Sequence, residues 1–362
     1  MTDDQKAPQD TKPEAAHALG SGSLPPTSPE LHLEQPIALL PEHASAPRLS
    51  LQYLSGAAAL VLVFFASASL TVAYLSGTNP VSAASQTAGA AIPAKEDPFS
   101  TVSLIAQSAY VLDLATGKVL YSKNSDAQLP LASLIKVPLV LTVLEALPPD
   151  HIITIPPHTT PDGAAVRLPA GLQFSTQELI NFTLVASSNE GAEILSTAAE
   201  RAMLSKYPQA TPDKAVLWRM NDIAKGLGLV HMFFLNTNGL DMSDTQAGAY
   251  GSARDVAVLF GHAASTAPEI FGQTSRDTLK IRAATGETVT AANTDEALPA
   301  IPGIIMGKTG YTSLAGGNLA VVFEAGPAHP IVAVVLHSSQ NGRFEDIKKL
   351  VEAAVASIGF TR

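Results

Sequence analysis

The sequence predicts an α+β fold: an antiparallel sheet formed from both ends of the folded region, a helical subdomain inserted between those ends, and one transmembrane helix ahead of both. Three observations predict it. β-Forming runs stand at both ends of the region, within residues 106–124 and 317–339, and runs of helical periodicity fill the interval. An uncharged apolar stretch precedes them at residues 54–75.

Residues 1–48 are rich in Pro, Ala, Ser, Gln and acid, lack helical periodicity, and read as a disordered tail that buries too little apolar surface to fold. The anchor falls within residues 49–76, where LSGAAALVLVFFASASLTVAYL carries no charge and is long enough to span a bilayer as a helix. A buried core helix of that length would show a polar stripe, and this one has only scattered Ser and Thr. A cleaved signal peptide is the rival reading, because VSA at 81–83 resembles a cleavage site, but signal peptides begin with a short basic region rather than a long acidic tail. Arg48 flanks the stretch closely and Lys95 lies far beyond it, which places the tail in the cytoplasm and the bulk of the chain outside. Residues 77–102, small and Pro-containing, form an extracytoplasmic linker. The acidic tail suits either recruitment of a cytoplasmic partner or a solvated spacer.

From residue 103 to 362 the texture is globular. AQSAYVLDLATGKVLYSKN predicts two strands around a turn at Ala115-Thr116-Gly117. The apolar run after Ser133 reads as a buried helix to Leu147, stopped by Pro148-Pro149 and bent locally by Pro138 in its second turn. Residues 175–200 read as two helices interrupted near Ser187-Ser188-Asn189. HMFFLNTNGLD at 231–241 is turn-rich after its aromatic pair, and SARDVAVLFGHAA at 252–264 is amphipathic and helical. GNLAVVFEA and PIVAVVLHSS predict adjacent antiparallel strands, and FEDIKKLVEAAVASIG a closing helix.

Composition excludes several functions. A net charge of −10 without a Lys/Arg-rich run offers no source of phosphate neutralisation, so nucleic acid is set aside. The absence of cysteine removes disulfides, thiolate catalysis and Cys-ligated zinc, and the nine histidines show no H-E-x-x-H spacing. No metal and no cofactor is expected.

Three short motifs carry chemistry. Ser133 and Lys136 stand three apart at the start of an apolar run, one helical turn from each other, where a lysine can serve as base to a serine nucleophile. The plain alternative is an N-cap serine and a solvated lysine. Ser187-Ser188-Asn189 is either a functional loop or a helix end satisfied by its own side chains. Gly307-Lys308-Thr309-Gly310 resembles the end of a nucleotide-binding loop, but that motif needs a glycine at position 302, which is Pro302, and a helix after it. The remaining reading is a strand whose lysine and hydroxyl face a site while Gly310 admits a close approach.

In this order, S-x-x-K, S-x-N and K-T-G together are the signature of penicillin-binding proteins and class A β-lactamases. With ATGKVLYSKN, FSTQELINFTLVASSNEGA, FLNTNGLD and GKTGYTSLAGGNLA beside them, residues 103–361 resemble the serine D-alanyl-D-alanine carboxypeptidases, the low-molecular-weight penicillin-binding proteins of β-lactamase/transpeptidase-like fold. The chain departs from that pattern at Glu190, where the family usually has Asp, and at Ile135, where it often has Thr.

The resemblance implies roles. Ser133 is the nucleophile, Lys136 its base and Ser187 the proton relay; Asn189, Lys308, Thr309, Gly310 and Arg343 bind substrate; the backbone amides of Ser133 and Tyr311 form the oxyanion hole. Arg343 stands where family members carry an arginine that reaches the substrate carboxylate, an exposed helix-start arginine being the other reading. The implied substrates are peptidoglycan stem peptides, with β-lactam antibiotics as acylating inhibitors, and the implied place is the outer side of a bacterial cytoplasmic membrane. A β-lactamase-like hydrolase is the first alternative, disfavoured because no E-x-x-L-N segment follows the second motif. A non-catalytic cell-wall-binding scaffold of the same fold is the second.

Overall fold

In the computed structural model, residues 96–157 and 168–359 are described. The tail and the apolar stretch 54–75 lie outside them, and among the described residues no helix is long and apolar enough to cross a membrane. Strand β1 (Ser108–Asp113) turns back through Gly117, at φ +72°, into β2 (Val119–Lys123), at the expected turn. The β-branched runs near the carboxy end form β3 (Ile304–Thr312), β4 (Gly316–Glu324) and β5 (Pro330–Ser338). These five make one antiparallel sheet in the order β3-β4-β5-β1-β2, so the two ends of the chain meet where Tyr110 faces Val334 and Val111 faces Ala333.

Alternation along the strands divides the core in two. Leu319, Val321, Phe323, Ile331, Ala333 and Val335 face one cluster, and Ala320, Val322, Val332, Val334 and Leu336 face the other, as the two-residue period of a strand requires. With both faces covered, β4 and β5 read as continuous apolar runs rather than as half-polar ones.

Among the described residues there are six longer helices. Helix α1 (Lys136–Ala146) is buried through its first eight residues, as a helix apolar on all sides must be, and follows a 3-10 turn at Ala132–Ile135. Pro138 is its third residue and not in the second turn; in the first turn a missing N–H costs little. Helices α2 (Thr176–Val185) and α3 (Asn189–Lys206) are interrupted where expected, and Ser175 and Ser188 cap them by accepting from Glu178 N and Gly191 N. Helix α4 (Ala215–Gly226) and the hairpin of strands Thr278–Arg282 and Thr288–Ala292 escaped the sequence reading. Helix α5 (Ala253–Thr266) packs in the helix-side core, and α6 (Gly342–Gly359) covers the sheet's opposite face.

Of the span read as a linker only the part from Glu96 onward is described, and there Phe99 stacks on Tyr121 with ring centroids 5.5 Å apart. Asp346 of α6, fully buried, holds this entry to the sheet: it accepts from Ile105 N (3.0 Å), Ala106 N (2.7 Å) and Ser338 Oγ (2.8 Å). Replacing Asp346 by Ala orphans a buried amide and should destabilise the protein by about 3 kcal/mol. At about 2–4 °C per kcal/mol for a domain of this size, thermal denaturation should show Tm lower by roughly 6–12 °C. An unchanged Tm would mean that this carboxylate does not anchor the entry.

Candidate active site

The 3-10 turn Ala132–Ile135 brings Ser133 to the sheet's edge strand β3, beside the start of α3 and the turn at residues 236–241. Ser133 is not the cap of α1, whose N-cap is Ile135 with no side-chain bond. Its hydroxyl accepts instead from Lys136 Nζ at 2.7 Å. Lys136 Nζ also donates to Asn189 Oδ1 (2.8 Å) and to the carbonyl of Asn238 (2.7 Å), so its three protons have three acceptors from three segments. No part of Lys136 is exposed. Burial pushes it from the usual lysine range down to about 7, with the charge of Glu193 acting in the opposite direction.

The second motif splits its two readings between two serines. Ser188 caps α3, whereas Ser187, held at φ +54°, accepts from Lys308 Nζ at 2.7 Å. Lys308 Nζ also donates to the carbonyl of Thr309 (2.9 Å). Lys308 is 2% exposed, and burial, followed by the charges of Lys136 and Arg343, holds it well below the usual lysine range, while Asp295 acts to raise it. Thr309 Oγ1 lies 2.5 Å from Thr294 Oγ1.

Two glycines close on Ser133. A Cβ at Gly310 would lie 2.8 Å from the Leu131 carbonyl and 3.3 Å from Ser133 N; one at Gly239, where φ is +88°, would lie 2.3 Å from the Ala132 carbonyl and 3.1 Å from Ser133 N. The backbone of Gly310 therefore runs alongside the Ser133 amide, and the Tyr311 amide follows it directly. Ala132, just before Ser133, is itself left-handed at φ +48°, a conformation a non-glycine residue holds only where its surroundings impose it.

Arg343 is buried, not an exposed helix-start residue: it is 7% exposed, and its Nη1 donates to the Gly310 carbonyl at 2.9 Å. The structure thus brings Ser133, Lys136, Ser187, Asn189, Lys308, Thr309, Gly310, Tyr311 and Arg343 to one place. Ile135 belongs to the helix-side core, and the Glu190 carboxylate accepts from Leu168 N at 3.2 Å. Among the described residues no group of His, Cys, Asp or Glu could hold a metal ion.

The motifs did not name Asn238, Thr294 or Asp295. Asn238 lies in the turn quoted for its family texture, where Asn236 and Asn238 side chains bond the local backbone and Asp241 accepts from Thr312 Oγ1 and Leu314 N. The crowding of Asn and Gly in that turn was the available signal.

Over residues 94–340 the sequence matches the family described as D-alanyl-D-alanine carboxypeptidase. It is 29% identical over 273 residues to the D-alanyl-D-alanine carboxypeptidase DacF of Bacillus subtilis, covering 72% of this chain and 65% of that one. To a D-alanyl-D-alanine endopeptidase of Pseudomonas aeruginosa it is 31% identical over 159 residues, 43% of this chain and 46% of the relative. The chain thus matches about half to two thirds of the length of these relatives. Its fold resembles penicillin-binding protein D2 of Listeria monocytogenes in an ampicillin-bound form, with TM-score 0.59 and 27% identity over 70% of this chain and 98% of that one.

Because Gly310 meets backbone and not a yielding side chain, Gly310→Ala should displace the 131–133 turn. Acylation of Ser133 by an acylating reagent, followed by intact-protein mass spectrometry, should slow by about 10²-fold, the effect expected of roughly 1 Å misplacement. Acylation at the wild-type rate would show that the turn absorbs the methyl.

Proposed function

Because the chain belongs to the D-alanyl-D-alanine carboxypeptidase family, we propose that it removes the terminal D-alanine of peptidoglycan stem peptides through an acyl-enzyme on Ser133. The observation that carries this is the contact of Ser133 Oγ with a lysine that burial brings to about 7. Once neutral, Lys136 Nζ accepts the hydroxyl proton, and Oγ bonds to the carbonyl carbon of the penultimate D-alanine. The amides of Ser133 and Tyr311 receive the oxyanion. The carbon–nitrogen bond then breaks, the leaving amine takes a proton relayed by Ser187, and free D-alanine departs. Water adds to the ester and gives a proton to Lys136, the bond between the acyl carbon and Ser133 Oγ breaks, and Oγ regains its proton.

Asn189 positions the peptide by hydrogen bonding as well as holding Lys136. Lys308, Thr309 and Arg343 supply the charge and hydroxyl that a terminal carboxylate requires, with Gly310 letting the substrate backbone approach. β-Lactams, which present a strained amide and a carboxylate in the same relation, would acylate Ser133 as inhibitors. Likeness to the Pseudomonas endopeptidase favours a second reading, in which the same carbonyl is attacked and the leaving amine belongs to a crosslink.

The proposal includes one transmembrane helix at residues 54–75 ahead of this domain, with the domain on the outer side of a bacterial cytoplasmic membrane. In intact spheroplasts, added protease should digest the domain and spare a tagged amino terminus. Protection of the domain would reverse the orientation, and full release into the medium would mean that the stretch is cleaved.

Purified protein should release D-alanine from a stem pentapeptide, and Ser133→Ala should lower the rate by at least about 10³-fold. Only neutral Lys136 accepts a proton, and its neutral fraction falls tenfold per pH unit below about 7, so acylation should rise with pH through that value. A crosslinked dimer supplied in parallel tests the endopeptidase reading. Folded wild-type protein that releases nothing from either substrate would overturn both readings.

A further inference from the structure

Behind the strand that carries Lys308 lies a carboxylate that the hydrolytic steps leave unused. Asp295 is 5% exposed; its Oδ1 accepts from Ala297 N at 2.9 Å, while its Oδ2 is buried with no hydrogen-bond partner. That free oxygen points at β3, since a Cβ on Gly307 would lie 3.0 Å from it. The segment is fixed on both sides: Asn293 Oδ1 accepts from Asp295 N, and Thr294 meets the hydroxyl of Thr309. Arg343 Nε is likewise buried without a partner.

We propose that Asp295 is a positioning residue for the carboxylate cradle: its buried charge, set beside β3, holds the proton on Lys308 and keeps the cradle cationic. This rests on the carboxypeptidase reading above. Hydrogen bonding alone pulls the other way, because Lys136 has three acceptors and Lys308 two. An ammonium is therefore better satisfied at Lys136, the group that must be neutral. The charged groups facing Asp295 are Lys308 from β3, Arg343 from α6 and its own neighbour Glu296. Lys136 has a different counter-charge, Glu193, whose exposed carboxylate is bonded to Asn238 Nδ2 and screened by water. The buried anion is screened less and acts to raise Lys308, against burial and the charges of Lys136 and Arg343. Burial pushes Asp295 itself up to about 6, so above that pH it is charged.

Asp295→Asn keeps the shape and removes the charge. In kcat/KM for D-alanine release against pH, the alkaline limb, an apparent value belonging to the lysine pair, should move to lower pH. The plateau should fall on the order of tenfold, the weight of about one pK unit, mostly through KM. With a thioester acyl donor whose leaving group lacks a carboxylate, the variant should match wild type. A superimposable pH profile, or an equal loss on both substrates, overturns the proposal. A second arm needs neither activity nor that variant. By 13C NMR of Asp-labelled protein, the Asp295 carboxyl should titrate higher in Lys308→Met than in wild type, and an unmoved titration overturns the coupling. Wild type that releases no D-alanine sinks the carboxypeptidase reading instead, and the NMR arm still decides whether Asp295 and Lys308 are coupled.

Discussion

Burial of the Lys136 ammonium is the constraint on which the site depends. Taking a charge out of water is costly unless every proton finds an acceptor, and here the acceptors come from the nucleophile's own turn, the start of α3 and the 236–241 turn. One side chain thereby fixes three segments relative to each other. The same desolvation that makes the arrangement costly brings the lysine close to neutrality at physiological pH, so the cost and the reactivity have one origin.

The backbone carries strain at the positions that this arrangement fixes. Ala132 and Ser187 adopt left-handed φ, and two glycines allow β3 and the 236–241 turn to approach the Ser133 amide more closely than any Cβ permits. The approach at Gly310 would not occur on an inner strand of the sheet. Strand β3 is at the edge, paired on one side with β4, and its other side is given to the nucleophile's turn. The fold thus leaves an edge open and covers it with the turn that carries Ser133, one of the ways an unpaired edge is managed.

Much of this was legible in the sequence because it is local. Period-two and helical runs placed β1, β2, β4, β5, α1, α2, α3, α5 and α6, and the three motifs placed six side chains together before any contact was known. What was not legible depends on contacts between distant segments. Asn238 matters through its carbonyl, which any residue possesses, and Asp295 reads as one more polar loop residue until its burial beside β3 is seen. The fate of Arg343 was open for the same reason: its position at the start of α6 fits exposure as well as burial, and only the Gly310 carbonyl decides. Pro138 was placed one turn late because the 3-10 turn shifts the start of the α-helix past Ser133.

The placement of Asp295 follows from what a carboxylate-binding site can tolerate. Lys136, Lys308 and Arg343 converge with little solvent to screen them, and the charges of Lys136 and Arg343 lower the tendency of Lys308 to stay charged. A counter-anion in front of them would relieve that repulsion and compete with the substrate for the same donors. Set behind β3, with one oxygen on Ala297 N and the other left unbonded, it contributes its field through a low-dielectric layer and occupies none of the donors that face the substrate. The unbonded oxygen is a cost of the order of a lost hydrogen bond to a charged group, about 1–3 kcal/mol. A structure that only needed a satisfied loop would fill the position with an uncharged residue; a cradle that keeps Lys308 charged, as proposed, has a use for the charge.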